Sequence, residues 1–259
     1  MNIPEWKAKG KYTKVYGHAV FNIHHQTNKP TIAFLHGYPS ASYDYYKVLP
    51  YLSTNFSYII HDHLGFGLSD KPTNYSYSLL EQAEIAIELW KQSGIKEIHL
   101  VSHDYGTTVA NEIIVRKLQG YEPVKIKTVT FCNGSMHIEL AHLKLVQKLL
   151  KHPFWGKYII ALMNKRTFVK TMQDIWFDKQ LCDLNEMDEL WELMMMNAGK
   201  EVLHKISQYN NERVKYWHRW IEKRPVQMLV FSLVAVAIGG ILELIPTFLV
   251  ESNIPTIAS

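Results

Sequence analysis

The residues with the clearest chemical potential in this sequence lie in the segment Ser102-His103-Asp104-Tyr105-Gly106. The segment separates a short apolar run, which predicts a buried strand, from residues 107–118, which have helical spacing. A small residue two positions before Asp104 and a glycine two positions after it allow a tight, strained turn that lifts the aspartate above a sheet. The free N–H groups and the dipole of the helix start stabilise a negative carboxylate there. Asp104 is therefore a candidate nucleophile, and the alternative is that it only caps the following helix.

Two further turns follow neighbouring predicted strands. His36-Gly37-Tyr38-Pro39 ends the apolar run 31–35, at a spacing where its backbone can face the Asp104 turn. The segment from Asp62 to Pro72 contains two glycines and a capping serine. The group His61-Asp62-His63 has residue types that bind metals, but side chains alternate on a strand end and the glycine turn accounts better for Asp62. No metal site is predicted.

Apolar runs and amphipathic segments alternate from residue 11 to residue 133. Extended segments are predicted at 15–23, 31–35, 58–60, 98–101 and 126–131, and helices at 42–52, 78–92 and 107–118. Because strands that alternate with helices of this length need crossover connections, the sequence predicts an α/β fold with a mainly parallel, doubly wound sheet. Residues 137–222 lack strand signals and have Leu, Met, Lys and Trp at helical spacing, whereas a buried-strand pattern returns at 226–231.

Composition limits the classes of function. The chain has 259 residues, of which 47% are hydrophobic and 20% charged; this excludes a disordered chain and suffices for one sizeable core. The net charge of +4 is spread without a basic block, so no nucleic-acid partner is predicted. The cysteines, Cys132 and Cys182, are too few for a disulfide scaffold. With no apolar signal region at the N-terminus, we expect an intracellular protein, either cytoplasmic or associated with an internal membrane such as the endoplasmic reticulum.

The apolar stretch from Met228 to Val250 raises the possibility of membrane contact. A spanning helix needs about 20 apolar residues, and this stretch reaches that length only if Glu243 and Pro246 are tolerated within it. A buried strand followed by a core helix gives the same pattern. We favour the strand and helix on length, with the membrane as the second interpretation.

The motifs together resemble a known family. A buried strand followed by HGYP, then DHLGFGLSDKP and then SHDYG, in this order and spacing, is similar to the α/β-hydrolase fold. The aspartate in the elbow, where serine hydrolases have serine, resembles the epoxide hydrolase and haloalkane dehalogenase branch. The segments HGYPSASYDYYK, LGFGLSDKP, SHDYG and QYNNERVKYWHRW are similar to the mesoderm-specific transcript protein subfamily. The resemblance covers residues 30–224.

The resemblance implies roles for individual residues. Asp104 becomes the nucleophile, and the backbone N–H groups of Tyr105 and Tyr38 become the oxyanion hole. Glu139 matches an alternative position for the acid that orients a catalytic histidine. That histidine has no counterpart, because the sequence contains none after His218, and the triad is therefore expected to be incomplete.

Two other positions bear on the chemistry that the resemblance implies. Haloalkane dehalogenases resemble one another in a tryptophan after the nucleophile, whose indole N–H holds the halide; Tyr105 stands there and argues against dehalogenation. Epoxide hydrolases use two cap tyrosines as acids. Tyr158, Tyr209 and Tyr216 are the candidates, and spacing does not choose among them.

The predicted organisation has three parts. Residues 1–136 form the N-terminal part of the core, residues 137–222 a helical cap, and residues 223–259 an incomplete C-terminal part of the core with an apolar tail. The chain looks cut short or rewritten after about residue 227, and the last strand of the usual sheet is expected to be missing.

Two hypotheses of function follow. The first is a hydrolase that acts through a covalent ester on Asp104, without a cofactor, on a small apolar epoxide, ester or lipid-like substrate. The second is a non-catalytic relative that binds an apolar ligand or a membrane. The elbow favours the enzyme, and the missing histidine favours the binding protein.

Overall fold

The computed structural model describes residues 1–132, 152, 154–174 and 179–222. Its strands are β1 (Lys11–Val15), β2 (His18–His25), β3 (Thr31–Leu35), β4 (Ser57–His61), β5 (Glu97–His103) and β6 (Lys125–Cys132). Its α-helices are α1 (Ile3–Ala8), α2 (Leu49–Leu52), α3 (Leu79–Gln92), α4 (Tyr105–Leu118), α5 (Gly156–Leu162), α6 (Lys165–Gln173), α7 (Leu184–Met195), α8 (Gly199–Ser207) and α9 (Tyr209–Glu222). Short 3-10 helices cover Ser42–Tyr45 and Lys179–Leu181.

The strands form one mixed sheet in the order β1-β2-β4-β3-β5-β6. The pairs β4–β3, β3–β5 and β5–β6 are parallel, and the pairs β1–β2 and β2–β4 are antiparallel. The predicted α/β fold with a mainly parallel sheet is confirmed. Since the carboxyl ends of parallel strands lie at one edge, the turns after β3, β4 and β5 meet there.

The segment predicted as continuous at 15–23 is instead a hairpin. Tyr16 and Gly17 both have positive φ, 46° and 89°, and separate β1 from β2. Two successive residues of positive φ are typical of the tight turns that join antiparallel strands. Without an Asn-Gly or Asp-Gly pair at this point, the sequence pattern did not reveal the turn.

The helix predicted at 42–52 is also interrupted. It consists of the 3-10 helix Ser42–Tyr45 and the separate turn α2. Pro50 stands in the first turn of α2. Because proline has no N–H group and fits the start of a helix, a helix at this point begins just before it.

The core has two apolar layers, one on each face of the sheet. Along β3, Ala33 and Leu35 belong to one cluster, whereas Ile32 and Phe34 belong to the other. The first cluster includes the buried faces of α3 and α4, and the second includes residues of α1, α2 and α7. This alternation confirms the doubly wound arrangement, because successive side chains of a strand face opposite sides.

The described part of the segment 137–222 consists of helices α5–α9 and a 3-10 helix, with no strand among its described residues. Leu190 of α7 lies in the second cluster, and Val202 and Ile206 of α8 lie in the first. The helices are therefore packed on the α/β core. The boundaries of a separate cap stay a prediction.

Among the residues that the structure describes, no helix is long and apolar enough to cross a membrane. The stretch from Met228 to Val250, the strand predicted at 226–231 and the predicted loss of the last strand all lie outside the described residues.

Candidate active site

Asp104 stands alone between the end of β5 and the start of α4. Its backbone has φ 46° and ψ −111°, a conformation that a residue with a side chain rarely adopts. Gly106 makes the turn possible, because a Cβ there would lie 2.5 Å from the carbonyl oxygen of Leu35. The N–H of Gly106 donates to the carbonyl of His36 at 3.0 Å. The strained turn expected from the sequence is present, held by the strand next to it.

The carboxylate of Asp104 is held by two backbone donors. Its Oδ1 accepts the N–H of Tyr105 at 2.6 Å and the N–H of Tyr38 at 2.9 Å. The first bond is compatible with simple helix capping, but the second comes from a different strand end and is not needed for a cap. Within the described part of the chain, no residue donates a hydrogen bond to Oδ2. One carboxylate oxygen is thus fixed while the other is available for chemistry.

The turn that carries Tyr38 is packed directly against the elbow. A Cβ on Gly37 would lie 3.0 Å from the Cβ of Asp104 and 2.9 Å from Nδ1 of His103, so only glycine allows this approach. His36 fixes the turn from beneath: its Nδ1–H donates to the carbonyl of Gly37 at 2.8 Å, and its Nε2 accepts the N–H of His63 at 3.0 Å. Burial lowers the pKa of His36 to about 3, which keeps the ring neutral in this arrangement.

A buried aspartate that sequence analysis missed supports the same turn. Asp44 is 4% exposed, and burial raises the pKa of its carboxyl well above the ordinary value, although the hydrogen bond from Ser40 opposes the shift. The hydroxyl of Ser40 lies within hydrogen-bond reach of both Asp44 and the carbonyl of Gly37. Ser40 therefore links the buried carboxyl of Asp44 to the turn that carries Tyr38.

Aromatic rings enclose the elbow. The ring of Tyr209, at the start of α9, lies 5.5 Å from the ring of Tyr38 and 5.0 Å from the ring of Tyr105. The ring of Phe66 lies 5.2 Å from the ring of Tyr105. Burial, and secondarily the charge of Asp104, raises the pKa of both Tyr38 and Tyr209. Both phenols therefore stay protonated and can act as hydrogen-bond donors.

The structure separates the three tyrosines that the sequence left open. Tyr209 is 5% exposed and lies beside the elbow, as its ring contacts and its electrostatic coupling to Asp104 indicate. Tyr158 is 46% exposed and contacts Phe154 and Trp155 instead. Tyr216 packs against Trp220, 6.3 Å between ring centroids. Tyr209 is the candidate that lies with Asp104.

The turn after β4 is organised by Asp62. Its two carboxylate oxygens accept the N–H groups of Ser42 and Leu68, each at 2.7 Å. Gly67 has φ 49°, and a Cβ there would lie 2.2 Å from Oδ2 of Asp62. Asp62 therefore shapes the glycine turn, and in the described residues no group of His, Cys, Asp or Glu has the geometry to hold a metal ion.

Two polar anchors hold the helical segment over this edge of the sheet. The buried ammonium of Lys71 donates to the carbonyls of Leu193 and Met196, both at 2.8 Å, at the end of α7. The carboxylate of Glu112 in α4, 1% exposed, accepts two hydrogen bonds from Arg219 and one from Trp220. The Lys71 contacts fix the end of α7, and the Glu112 contacts fix α9, the helix that begins at Tyr209.

The predicted site residues thus divide into two groups. The structure brings Asp104, Tyr105 and Tyr38 together, whereas Glu139 lies outside the described residues. Sequence analysis missed Asp44 and the close approach of Gly37. Tyr209, the tyrosine of the segment QYNNER, was one of three candidates in the sequence, and the fold was needed to choose it.

The sequence matches the family model described as alpha/beta hydrolase fold over residues 30–251, and the chain belongs to that family. It is 33% identical over 219 residues to LipZ of Mycobacterium tuberculosis, provisionally named a hydrolase, covering 85% of this chain and 75% of the relative. It is 34% identical over 224 residues to the mesoderm-specific transcript homolog protein of Bos taurus, covering 83% and 67%. The epoxide hydrolase CorEH superposes with a TM-score of 0.66 at 15% identity, covering 78% of this chain and 73% of CorEH. The family predicted from the motifs is confirmed, including the likeness to mesoderm-specific transcript proteins.

Proposed function

We propose that this protein is a hydrolase whose nucleophile is Asp104 and whose substrate is a small apolar epoxide, ester or lipid-like molecule. The observation that carries the proposal is the double hydrogen bond from Tyr38 and Tyr105 to Oδ1 of Asp104. Donor distances of 2.6 and 2.9 Å suit an oxygen that gains negative charge during a reaction. The relatives named as hydrolases support the same class.

The first half-reaction uses groups present at the elbow. Oδ2 of Asp104 attacks a carbon of the epoxide. A bond forms between Oδ2 and this carbon, and the strained bond between the carbon and the ring oxygen breaks. The ring oxygen takes the proton of the Tyr209 phenol, and the Tyr209 phenolate is then reprotonated from solvent. Oδ1 becomes the carbonyl oxygen of the new ester and keeps its two N–H donors.

The second half-reaction hydrolyses this ester. Water attacks Cγ of Asp104, and the charge that develops on Oδ1 is stabilised by the N–H groups of Tyr38 and Tyr105. The Cγ–Oδ2 bond then breaks, so that the diol leaves with Oδ2 as its second hydroxyl oxygen and the oxygen of water replaces it in the carboxylate. One proton of the water goes to the departing alkoxide and the other to solvent, which balances the proton that Tyr209 gave up. A general base that removes a proton from the water contributes about 10²–10⁴-fold. We assign Glu139 the orienting role that the family resemblance implies, but the sequence has no histidine after His218 to act as its partner.

The surroundings of the carboxylate support an apolar substrate. The rings of Tyr38, Phe66, Tyr105 and Tyr209 form a contacting group with centroid distances of 5.0 to 6.3 Å, and Tyr38 and Tyr209 interact electrostatically with Asp104. Such rings exclude water and match the apolar part of a ligand. Tyr105 at the position of the dehalogenase tryptophan argues against halide release as the main reaction.

Single-turnover consumption of an aryl epoxide tests the proposal. Excess protein is mixed with styrene oxide, and the remaining epoxide is measured by chromatography. We expect wild-type protein to consume all of the epoxide in a single turnover and Asp104→Asn to consume none above the uncatalysed rate. Equal consumption by both folded proteins would overturn the assignment of the nucleophile.

Ligand binding without catalysis is the second candidate function, because the rings of Tyr38, Tyr105 and Tyr209 can hold an apolar ligand whether or not Asp104 reacts. It predicts that styrene oxide raises the melting temperature of the wild-type protein without being consumed. Consumption of the epoxide would exclude it.

A further inference from the structure

A group of large apolar side chains is exposed at the start of α5. Phe154, Trp155 and Tyr158 are 53%, 55% and 46% exposed, and Leu162 is 78% exposed. The three rings contact one another, with centroid distances of 5.1, 5.6 and 6.1 Å. We call Phe154, Trp155, Tyr158 and Leu162 the aromatic patch.

The patch is a continuous surface on one side of the helix. Trp155, Tyr158 and Leu162 are spaced by three and four positions, which places them on one helical face. Ile160, on another side, is 2% exposed and belongs to the apolar core. The ammonium of Lys200 donates to the carbonyl of Ala161 at 2.9 Å and fixes the end of the helix. The helix is thus anchored from behind while the rings face outward.

The charged side chains that are near the patch in the sequence are basic. The ammonium of Lys157 lies 5.5 Å from the ring of Phe154 and 5.0 Å from the ring of Tyr158. Arg166 and Lys170 are exposed on the next helix, α6, and the sequence has no aspartate or glutamate from residue 152 to residue 173. The nearest acidic residues on neighbouring helices include Asp188, which is paired with Lys165, and Glu201 beside Lys200. Exposed rings beside Lys157, Arg166 and Lys170 are complementary to an anionic partner.

We propose that the aromatic patch and Lys157 dock the protein on the surface of an anionic lipid bilayer. Tryptophan and tyrosine are enriched at the level of lipid headgroups, where the apolar ring and the polar group are both satisfied. Basic residues beside them gain energy from the negative surface of the membrane. Leu162 extends the apolar face beyond the rings, and the apolar face of such a helix can lie at the boundary between headgroups and acyl chains. The proposal does not depend on the hydrolase activity or on the stretch from Met228 to Val250.

Cosedimentation with lipid vesicles tests this proposal on the full chain. We expect the protein to bind vesicles made of equal parts phosphatidylcholine and phosphatidylserine more tightly than vesicles of phosphatidylcholine alone, with binding that weakens as salt is added. Lys157→Glu is expected to weaken binding at least about fivefold, and Trp155→Ser about tenfold.

Matched controls separate the patch from general effects. Tyr51→Ser removes a ring that is 72% exposed elsewhere, and Lys29→Glu reverses an exposed charge far along the sequence; both are expected to bind as wild type. Circular dichroism melts establish that each variant is folded. Binding that is equal on both vesicles, or unchanged in Trp155→Ser and Lys157→Glu, would overturn the proposal, and the second result would implicate another segment such as Met228 to Val250. Self-association without lipid that Trp155→Ser abolishes would instead assign the patch to a second copy of the chain.

Discussion

The backbone N–H of Tyr38 lies 2.9 Å from Oδ1 of Asp104, although the two residues are 66 positions apart in the chain. The contact exists because β3 and β5 are parallel neighbours, with Leu35 paired to Ser102, so that both strands end at the same edge of the sheet. The two turns then face each other, and Gly37 allows them to touch. The candidate oxyanion hole is therefore a consequence of strand order.

Tyr209→Phe is predicted to slow epoxide opening while leaving esters reactive. The phenol of Tyr209 is the proposed proton donor to the epoxide oxygen, and loss of an acid of this kind costs about 10²–10⁴-fold. An ester with a nitrophenolate leaving group needs no such acid, so its single-turnover burst is expected to stay within about threefold of wild type. Epoxide loss and nitrophenolate release, measured on the same preparations, give the two rates.

Tyr158→Phe and Tyr216→Phe are the matched controls for this substitution. Both tyrosines lie in the helical segment away from the ring contacts of Tyr38 and Tyr105, and their variants are expected to open epoxides as wild type does. If either control loses the epoxide reaction and Tyr209→Phe keeps it, the acid has been assigned to the wrong residue.

The buried histidines predict that the fold is sensitive to acid. Burial lowers the pKa of His36 to about 3 and of His61 to about 4, and it lowers the pKa of His63 well below the ordinary value. The unfolded chain binds protons on these side chains below about pH 6.5, whereas the folded chain does not until the pH is far lower. The free energy of unfolding should therefore fall as the pH decreases from about 6.5 towards 4, by about 1.4 kcal/mol per pH unit for each histidine.

Urea unfolding at several pH values in this window tests the histidine effect. His61→Phe is the informative variant, because neither ring nitrogen of His61 has a hydrogen-bond partner among the described residues. Because His61→Phe removes one imidazole, the change in the free energy of unfolding per pH unit should decrease by the amount that corresponds to one bound proton. His18→Gln, at a half-exposed position, serves as the comparison. A slope that His61→Phe leaves unchanged would contradict the explanation.

Glu112→Gln should weaken the attachment of α9. The carboxylate is buried and accepts hydrogen bonds from Arg116, Arg219 and Trp220. Its loss is expected to lower the free energy of unfolding by about 2–3 kcal/mol, in the range for hydrogen bonds to charged groups. Burial acts to raise the pKa of Glu112, but the hydrogen bonds from Arg219, Trp220 and Arg116 outweigh it and lower the pKa below the ordinary glutamate value. This stabilisation is therefore present above the ordinary glutamate pKa and is lost as the pH falls below about 4.5.

Glu88→Gln is the control for the Glu112 substitution. Glu88 pairs with Lys91 at the surface of α3, and such exposed pairs contribute less than about 1 kcal/mol. Urea denaturation at neutral pH compares the two variants. Equal losses of stability in both would mean that the buried network does not anchor α9.

Local signals in the sequence were sufficient for the regular elements. The helix predicted at 78–92 matches α3, because its apolar periodicity and the Ser78 cap lie within the segment itself. The elbow was equally predictable, since Ser102, Asp104 and Gly106 meet the steric needs of a strand-to-helix turn. The Tyr16-Gly17 turn was not predicted, because a turn of two residues leaves too short a sequence pattern to recognise.

The remaining features of the site depend on distant residues. Tyr209 is selected over Tyr158 because α9 is held to α4 through Glu112, which no pattern along the chain records. Asp44 looks like an ordinary polar residue until folding buries it beside Ser40 and favours its neutral form. The candidate nucleophile is therefore predictable from the sequence, whereas the candidate acid and the supporting carboxyl require the tertiary structure.

The most direct test of the account is intact-mass spectrometry of the folded protein after incubation with styrene oxide, followed by peptide mapping. Because ester formation is assigned to Asp104 and no general base for its hydrolysis is assigned among the described residues, the account predicts one added substrate mass on the peptide that contains Asp104. The adduct should persist and be absent from Asp104→Asn. Repeated turnover without an adduct would contradict the predicted stall, and loss of that turnover in His103→Gln would show which histidine serves as the base. A folded protein that shows neither adduct nor turnover would contradict the assignment of Asp104 as the nucleophile.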